Sequence, residues 1–320
     1  MSRLNRIEGL VKMGGFKAVL AKLSDTLTGS NYTNGYLYTL QKTTDPKEYR
    51  NLLENYYMYR TGEKLNLDHP KTFNEKIQWL KLYDSMGNKT RLADKYLVRE
   101  WVREKIGEEY LVPLLGVWDS FDEIDFNALP NQFALKCNHG SGWNLIVEDK
   151  NTLNVANAKR LFDKWMSTNY AFCAGFELQY RDIKPQIIAE EYIDFDTHGE
   201  EYQFWCFNGE PAFVSVIRDP HGENQKATYD LQWRELPFIT SLPGFLEEER
   251  KNLNKPKQFG KMIDIAQKAS RGFRFSRVDL YKYHDRIYIA EMTFTPASGF
   301  CKWYPAEYDL KVGELLRLPN

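Results

Sequence analysis

From residue 133 onward the chain is a succession of short β-branched and aromatic runs cut by turn residues, and no other feature constrains the fold as tightly. FALKCN (133–138), NLIVED (144–149), QIIAEEYI (186–193), EYQFWCFNG (201–209), EPAFVSVIRD (210–219), RVDLYKY (277–283) and RIYIAEMTF (286–294) each have the length and composition of a strand. Asn208-Gly209 and the turn Tyr283-His284-Asp285-Arg286 join consecutive runs as hairpins, so these neighbours pair antiparallel. Helical stretches at 154–168 and 256–271 interrupt the series. Ahead of residue 130 the pattern is helical. Asp45-Pro46 opens a helix over 46–62 that ends at Gly62, and Thr72-Phe73-Asn74-Glu75 has the form of a capping box. Ile77, Leu80 and Trp79 give the helix that follows one apolar face. A further helix covers 89–105, closed by Gly107, and LVPLLGVW (111–118) reads as a short buried strand. The class this predicts is α+β, helix-rich at the front and antiparallel behind. Residues 24–45, rich in Thr, Ser, Asn and Gly, read as a linker or loose loop.

Composition excludes several functions. Among 320 residues, 43 Lys+Arg nearly cancel 44 Asp+Glu. Nucleic-acid binding, which needs uncompensated positive charge, is therefore not expected. The longest apolar runs fall far short of the ~20 residues that span a bilayer. Cys137, Cys173, Cys206 and Cys301 form no Cys-x-x-Cys pair, and reduced, mostly buried thiols in a cytoplasmic protein are expected. Aromatic residues make up 15% of the chain, which suits either an aromatic core or a carbohydrate-facing surface. Residues 1–23 carry five basic residues and one acid on an amphipathic pattern. They form either a helix docked on the domain or one in peripheral contact with the inner face of a membrane.

Three segments carry the chemistry. FALKCNHGSGWNLIV ends a strand on Lys136 and follows it with Gly140, Ser141 and Gly142. Small residues let backbone N–H groups approach an anion, and the lysine adds a point charge; a plain hairpin with a surface lysine has the same sequence. QIIAEEYI is an apolar strand ending in Glu190 and Glu191. FSRVDLYKYHDRIYIAEMTFTP is a hairpin in which alternation puts Arg277, Asp279 and Tyr281 on one face, and Glu291 and Thr293 on one face of the partner strand. Two carboxylates facing each other need a cation between them, and hard oxygen donors suit Mg²⁺; the alternative is a solvent-facing glutamate.

Taken as an ordered set, these segments resemble the ATP-grasp enzymes. KTFNEKIQWLKLYD, DKYLVREWV, FALKCNHGSG, EYQFWCFNG, TYDLQW and IYIAEMTFTP resemble, more narrowly, the TupA-like branch named for teichuronopeptide biosynthesis, over residues 46 to 305. The resemblance implies an ATP-grasp fold, two α+β subdomains gripping a nucleotide between antiparallel sheets. On that reading the chain divides into 1–45 (helix and linker), 46–130 (α-rich region), 131–205 (lid-type subdomain) and 206–320 (subdomain with the metal site). ATP and Mg²⁺ are the implied cofactors. Lys95, Lys136 and Lys226 would meet phosphates, aided by the Ser141 loop. Glu190, Glu191, Tyr192 and Ile193 would edge the adenine, and Glu201 would hold the ribose. Asp279 and Glu291 would be metal ligands, with Thr293 where the family generally has Asn, and Arg277 would stabilise the transferred phosphoryl group. The implied reaction is carboxylate–amine ligation through an acyl-phosphate, joining a uronic acid of a surface polysaccharide or its precursor to an amino acid. Arg181, Arg218 and His139 are candidates for a substrate carboxylate. Two other readings stay open: a glycosyltransferase using the D-x-D at Asp194-Phe195-Asp196 against a sugar nucleotide, and a non-catalytic glycan-binding protein.

Overall fold

The computed structural model describes residues 2–28, 35–85, 87–194, 199–218, 225–240 and 253–319. Helix α1 (Ser2–Thr28) is broken at Gly14 and Gly15 and lies against α3 (Tyr49–Thr61). Gly9 permits the approach, since a Cβ there would stand 2.6 Å from the Tyr59 nitrogen and 2.7 Å from the Asn55 oxygen. Helix α2 (Tyr36–Thr43) lies between them in sequence. The expected linker at 24–45 is therefore corrected: α1 continues to Thr28, and Tyr38 and Gln41 of α2 are buried. Tertiary burial overrides the loop-like composition there.

The helix expected from Asp45-Pro46 is present. A 3-10 turn (Pro46–Glu48) capped by Asp45 leads into α3, which Gly62 closes at φ 84°, its N–H donating to the Met58 carbonyl at 2.8 Å. Helix α4 (Phe73–Tyr83) starts on the expected capping box: Thr72 Oγ1 accepts from the Glu75 N–H at 3.2 Å, and Glu75 Oε2 accepts from the Thr72 N–H at 3.0 Å. The single helix expected over 89–105 is two, α5 (Asn88–Ala93) and α6 (Leu97–Lys105). The chain turns at Asp94, Lys95 and Tyr96, because the Asp94 carboxylate takes the N–H groups of Tyr96 and Leu97 at 2.8 and 3.1 Å and starts a new helix.

Strands β1 (Leu114–Trp118), β2 (Phe133–Cys137), β3 (Asn144–Val147) and β4 (Ile187–Glu191) form an antiparallel sheet in the order β1-β4-β2-β3, with helix α7 (Val155–Met166) packed on β2. β1 is half-buried along its length rather than buried. The second sheet is also antiparallel, in the order β10-β9-β5-β6-β7, from β5 (Gly199–Phe207), β6 (Glu210–Arg218), β7 (Gln225–Asp230), β9 (Phe275–Tyr283) and β10 (Arg286–Thr293). Its outer face packs on α8 (Phe259–Ser270), whose Phe259, Met262, Ile265, Ala266 and Ala269 recur at helical spacing against Phe204, Val278 and Leu280. Short strands β8 (Ile239–Thr240) and β11 (Trp303–Tyr304) pair with each other, and α9 (Tyr308–Leu315) follows.

The first residue of α4 ties the front of the chain to the second sheet. Phe73 is fully buried, with ring centroids 5.5 Å from Trp205, 5.1 Å from Phe275 and 5.4 Å from Trp303. Cutting this side chain out leaves a cavity that surrounding rings cannot fill. Phe73→Ala should lower unfolding stability by roughly 3–5 kcal/mol, read as a fall in the urea midpoint at constant slope.

Candidate active site

One face of the second sheet collects the charged residues. β9 sets Arg277 opposite Thr293 and Asp279 opposite Glu291 on β10, and on its other side Arg277 opposite Trp205, Asp279 opposite Gln203 and Tyr281 opposite Glu201 on β5. A β-bulge between Ile289 and Glu291 makes this possible. In an unbroken ladder Glu291 would oppose Val278, which belongs to the apolar face under α8; the extra residue, Ala290, turns Glu291 onto the Asp279 face.

Asp279, 1% exposed, grips Arg277 with both oxygens: Nε donates to Oδ1 at 2.8 Å and Nη2 to Oδ2 at 2.6 Å. The same Nη2 donates to Thr293 Oγ1 at 3.3 Å and stands 3.6 Å from Glu291 Oε1, while the Thr293 hydroxyl donates to that oxygen at 2.8 Å. Burial pushes the Asp279 carboxyl up to about 7, against the opposing pull of Arg277. Glu291 goes the other way. Burial would raise it, but Lys95, Arg277 and the Thr293 hydroxyl hold it below the usual carboxylate range. Lys95 Nζ stands 3.9 Å from Glu291 Oε2 and donates to the Gly140 carbonyl at 2.5 Å.

The turn at Asp94 is what delivers Lys95. The Lys95 N–H donates to the Asn138 carbonyl at 3.0 Å, Asn138 Nδ2 donates to Asp94 Oδ2 at 3.0 Å, and Asn138 Oδ1 accepts the Gln186 N–H at 2.7 Å. One buried asparagine thus fastens the Lys95 turn to the ends of β2 and β4. His139 beside it is 2% exposed, its Nδ1 3.2 Å from Asn138 Oδ1 and its Nε2 3.2 Å from the Trp165 carbonyl.

From the first sheet, Lys136 Nζ lies 2.6 Å from Glu190 Oε2, and Arg99 Nη1 lies 2.7 Å from Glu190 Oε1 while its Nη2 donates to the Val112 carbonyl at 2.6 Å. The sequence gives no signal for Arg99, which sits in an ordinary amphipathic helix. Carboxylates of both sheets converge on Tyr281: burial, then Glu201, Glu291, Asp279 and Glu190, push its hydroxyl well above the ordinary tyrosine value. Lys226 belongs to the same sheet face. It donates to Thr240 Oγ1 at 2.7 Å, and burial followed by Arg277 pushes it down to about 8. Glu201 accepts from Gln203 Nε2 at 2.9 Å.

The remaining expected residues are placed as follows. Ser141 lines a cavity of about 310 Å³ together with Arg277, Glu291 and Thr293. Glu191, Tyr192 and Ile193 line another, of about 380 Å³, with Tyr283, Arg286 and Tyr288, and the Glu191 N–H is already donated to the Pro113 carbonyl at 3.0 Å. Arg181 pairs with Asp182 and Arg218 with Glu200. Of the D-x-D, Phe195 and Asp196 lie outside the described residues. The four cysteines are free thiols, three of them buried.

Two buried charges beneath the 310 Å³ cavity escape sequence reasoning. Lys81 donates to Gln78 Oε1, the Ala174 carbonyl, and both the carbonyl and hydroxyl of Ser298 at 2.8–3.1 Å, and burial pushes it down to about 7. Glu177, raised by burial, accepts from the Thr295 hydroxyl. Together they hold the loop after β10, where Ala297 and Ser298 take the left-handed conformation at φ 48° and 54°.

The profile of the TupA-like ATP-grasp family matches residues 75–317. No curated protein matches the sequence. Among solved structures, the fold is similar to a D-alanine–D-alanine ligase from Bacillus anthracis (15% identity, 70% of this chain and 65% of that one, TM-score 0.41). It is also similar to an L-amino acid ligase from Bacillus licheniformis (14% identity, 77% and 56%, TM-score 0.44) and a biotin carboxylase from Campylobacter jejuni (17% identity, 72% and 47%, TM-score 0.36). The chain spans less than two thirds of the length of each of these three proteins.

Burial pushes His139 down from 6.5 to about 4, so the folded state keeps it neutral where the unfolded chain protonates it. Its neutrality stabilises the fold fully above pH ~6.5, and that contribution falls as pH drops from 6.5 toward 4. His139→Gln should flatten this part of the stability–pH curve; a wild-type curve and a variant curve of equal slope between pH 4 and 6.5 would refute the assignment. With two antiparallel sheets, a cluster of lysines, arginine and opposed carboxylates, and a family profile covering three quarters of its length, the chain belongs to the TupA-like ATP-grasp family.

Proposed function

We propose that the protein is an ATP- and Mg²⁺-dependent carboxylate–amine ligase. It joins the carboxylate of a uronic acid, in a surface polysaccharide or its precursor, to the amine of an amino acid. The observation that carries the reading is the Asp279–Glu291 pair, opposed on adjacent strands beside Arg277 and Lys95.

In the first step a carboxylate oxygen of the uronic acid bonds to the γ-phosphorus of ATP and the β–γ bridge breaks, releasing ADP. In the second, the amine attacks the acyl carbon, phosphate leaves, and the nitrogen gives up a proton to complete the amide. Neither step needs a side-chain nucleophile, so the protein's task is positioning and charge neutralisation. Lys95, Lys136 and Lys226 present ammonium groups to the phosphates, and Arg277 faces the transferred group. Glu190, Glu191, Tyr192 and Ile193 edge the adenine, and Glu201 the ribose. Lys136 can leave Glu190 for a phosphate without stranding a buried carboxylate, because Arg99 still holds the other oxygen.

Among the described residues no three His, Cys, Asp or Glu side chains converge as a metal cage. The donors present nevertheless fit Mg²⁺, which is bound through one or two carboxylates and completes its shell with water and substrate phosphates. Asp279 and Glu291 would hold it, with Thr293 offering a hydroxyl. Bound there, Mg²⁺ supplies charge neutralisation at the phosphate oxygens.

Glu291→Gln removes a charge and keeps the volume. It should lower ADP release by roughly a hundredfold or more while the far-UV circular dichroism stays that of the folded chain, in a screen of uronic acids against amino acids with mass spectrometry of the product. Near wild-type turnover in this variant would sink the metal assignment.

Among the described residues no helix is long and apolar enough to cross a membrane. The outer side of α1 instead leaves Leu4, Ile7, Val11, Phe16 and Leu20 exposed, with Arg6, Lys12 and Lys17 also exposed. This supports peripheral contact with an anionic membrane, where a lipid-linked glycan would be met. The protein should sediment with phosphatidylglycerol vesicles at low salt, less so with the double substitution Leu4→Ser and Phe16→Ser. Equal partition of wild type and variant, or none, would refute the contact.

A further inference from the structure

The 310 Å³ cavity is lined by Arg277, Glu291 and Thr293 of the charge cluster, by Tyr170, Cys173 and Tyr180, and by Arg60 at the end of α3. Among the described residues Arg60 makes no ion pair. Its guanidinium lies 4.4 Å from the Phe300 ring centre, and Nη1 donates to the Tyr56 hydroxyl at 2.9 Å. Stacking occupies the flat face of a guanidinium and leaves its edge available. Of five N–H donors, only the one given to Tyr56 is committed among the described residues. An arginine held on an aromatic shelf, with its fork uncommitted and its side chain lining a substrate-sized cavity, is built to take a planar anion bidentately.

We propose that Arg60 binds a free carboxylate of the amine substrate, which fixes that substrate as an amino acid held by its carboxylate end. This rests on the ligase reading. The carboxylate of the uronic acid is the group that is phosphorylated, so it must lie at Arg277 and Glu291. An anion held at Arg60, on a different element lining the same cavity, then belongs to the second substrate, whose amine is left to attack the acyl carbon. Tyr56 and Phe300 position Arg60 and touch no substrate. Lys81 and Glu177 form the floor by holding the 295–298 loop.

The test is calorimetric titration of the full chain, saturated with Mg²⁺ and the non-hydrolysable analogue AMP-PNP, with the common L-amino acids and with the carboxamide of each binder. At least one amino acid should bind, and its carboxamide roughly tenfold or more weakly. Arg60→Gln should erase that gap with AMP-PNP affinity and unfolding midpoint unchanged, and Arg60→Lys, which keeps charge but not the fork, should restore part of it. Equal affinity for acid and carboxamide, a gap that survives Arg60→Gln, or no amino-acid binding would each overturn the proposal. So would a variant that loses binding of glucuronate while keeping that of the amino acid. ADP release separates the two readings. Turnover with an amino-acid KM unmoved by Arg60→Gln overturns the Arg60 assignment alone. Arg60-dependent carboxylate discrimination with no ADP formed from any uronic acid overturns the ligase reading alone.

Discussion

The arrangement of the site depends on the buried contact between Arg277 and Asp279. A buried arginine and aspartate on a sheet are tolerated because each satisfies the other at two points, and removing one partner from such a pair typically costs 3–5 kcal/mol. The pair fixes more than itself. Its fork brings Thr293 and Glu291 into a shared hydrogen-bonded group, and Glu291 in turn stands across from Lys95, a residue delivered by a different part of the chain. Three local devices feed this point: the bulge at Ala290, the helix break at Asp94 and the Asn138 clamp. None packs much apolar surface. Their shared effect is to aim polar side chains into the space between the sheets.

Much of the frame was legible in the sequence because strands and caps report themselves locally. The alternation in RVDLYKY places Arg277, Asp279 and Tyr281 together in any antiparallel pairing, and Thr72 with Glu75 announces the start of α4. What escaped depended on contacts between distant segments. Ile287 and Ile289 face α8 while Met292 does so after a change of phase, so the bulge is written as a slip in a period-two pattern only three residues long. The Asp94 break hides inside a stretch of helix-forming residues, where an aspartate that takes the N–H groups of Tyr96 and Leu97 looks like any surface acid. The α2 segment has loop composition and became helical through burial of Tyr38 and Gln41 against residues more than a hundred positions away.

The aromatic excess is largely resolved by position. Phe73, Trp205, Phe207, Phe213, Phe275 and Trp303 form one buried cluster joining α4 to the second sheet, and Tyr49, Phe172 and Phe176 pack in another beneath α3. Rings of this size bury large area with few rotamers, which suits a chain whose sheets are short and whose polar cleft contributes little to the core. Tyr170 and Tyr180 instead line the 310 Å³ cavity.

Overall neutrality has a local counterpart in how the cations are stored. Lys136 rests on Glu190, Arg277 on Asp279, and Lys95 near Glu291, whereas buried Lys226 makes no ion pair among the described residues and donates to the Thr240 hydroxyl. On the proposed function, a nucleotide would exchange partners with the paired cations instead of neutralising bare charge, which lowers the electrostatic gain of binding but keeps the empty fold stable. The exchange is asymmetric. Glu190 retains Arg99 when Lys136 departs, whereas Asp279 and Glu291, if both lose cationic partners to phosphate, are left facing each other across adjacent strands. On the proposed function, two carboxylates would then demand a cation as the phosphates arrive, and the protein's own charge balance would couple metal binding to nucleotide binding.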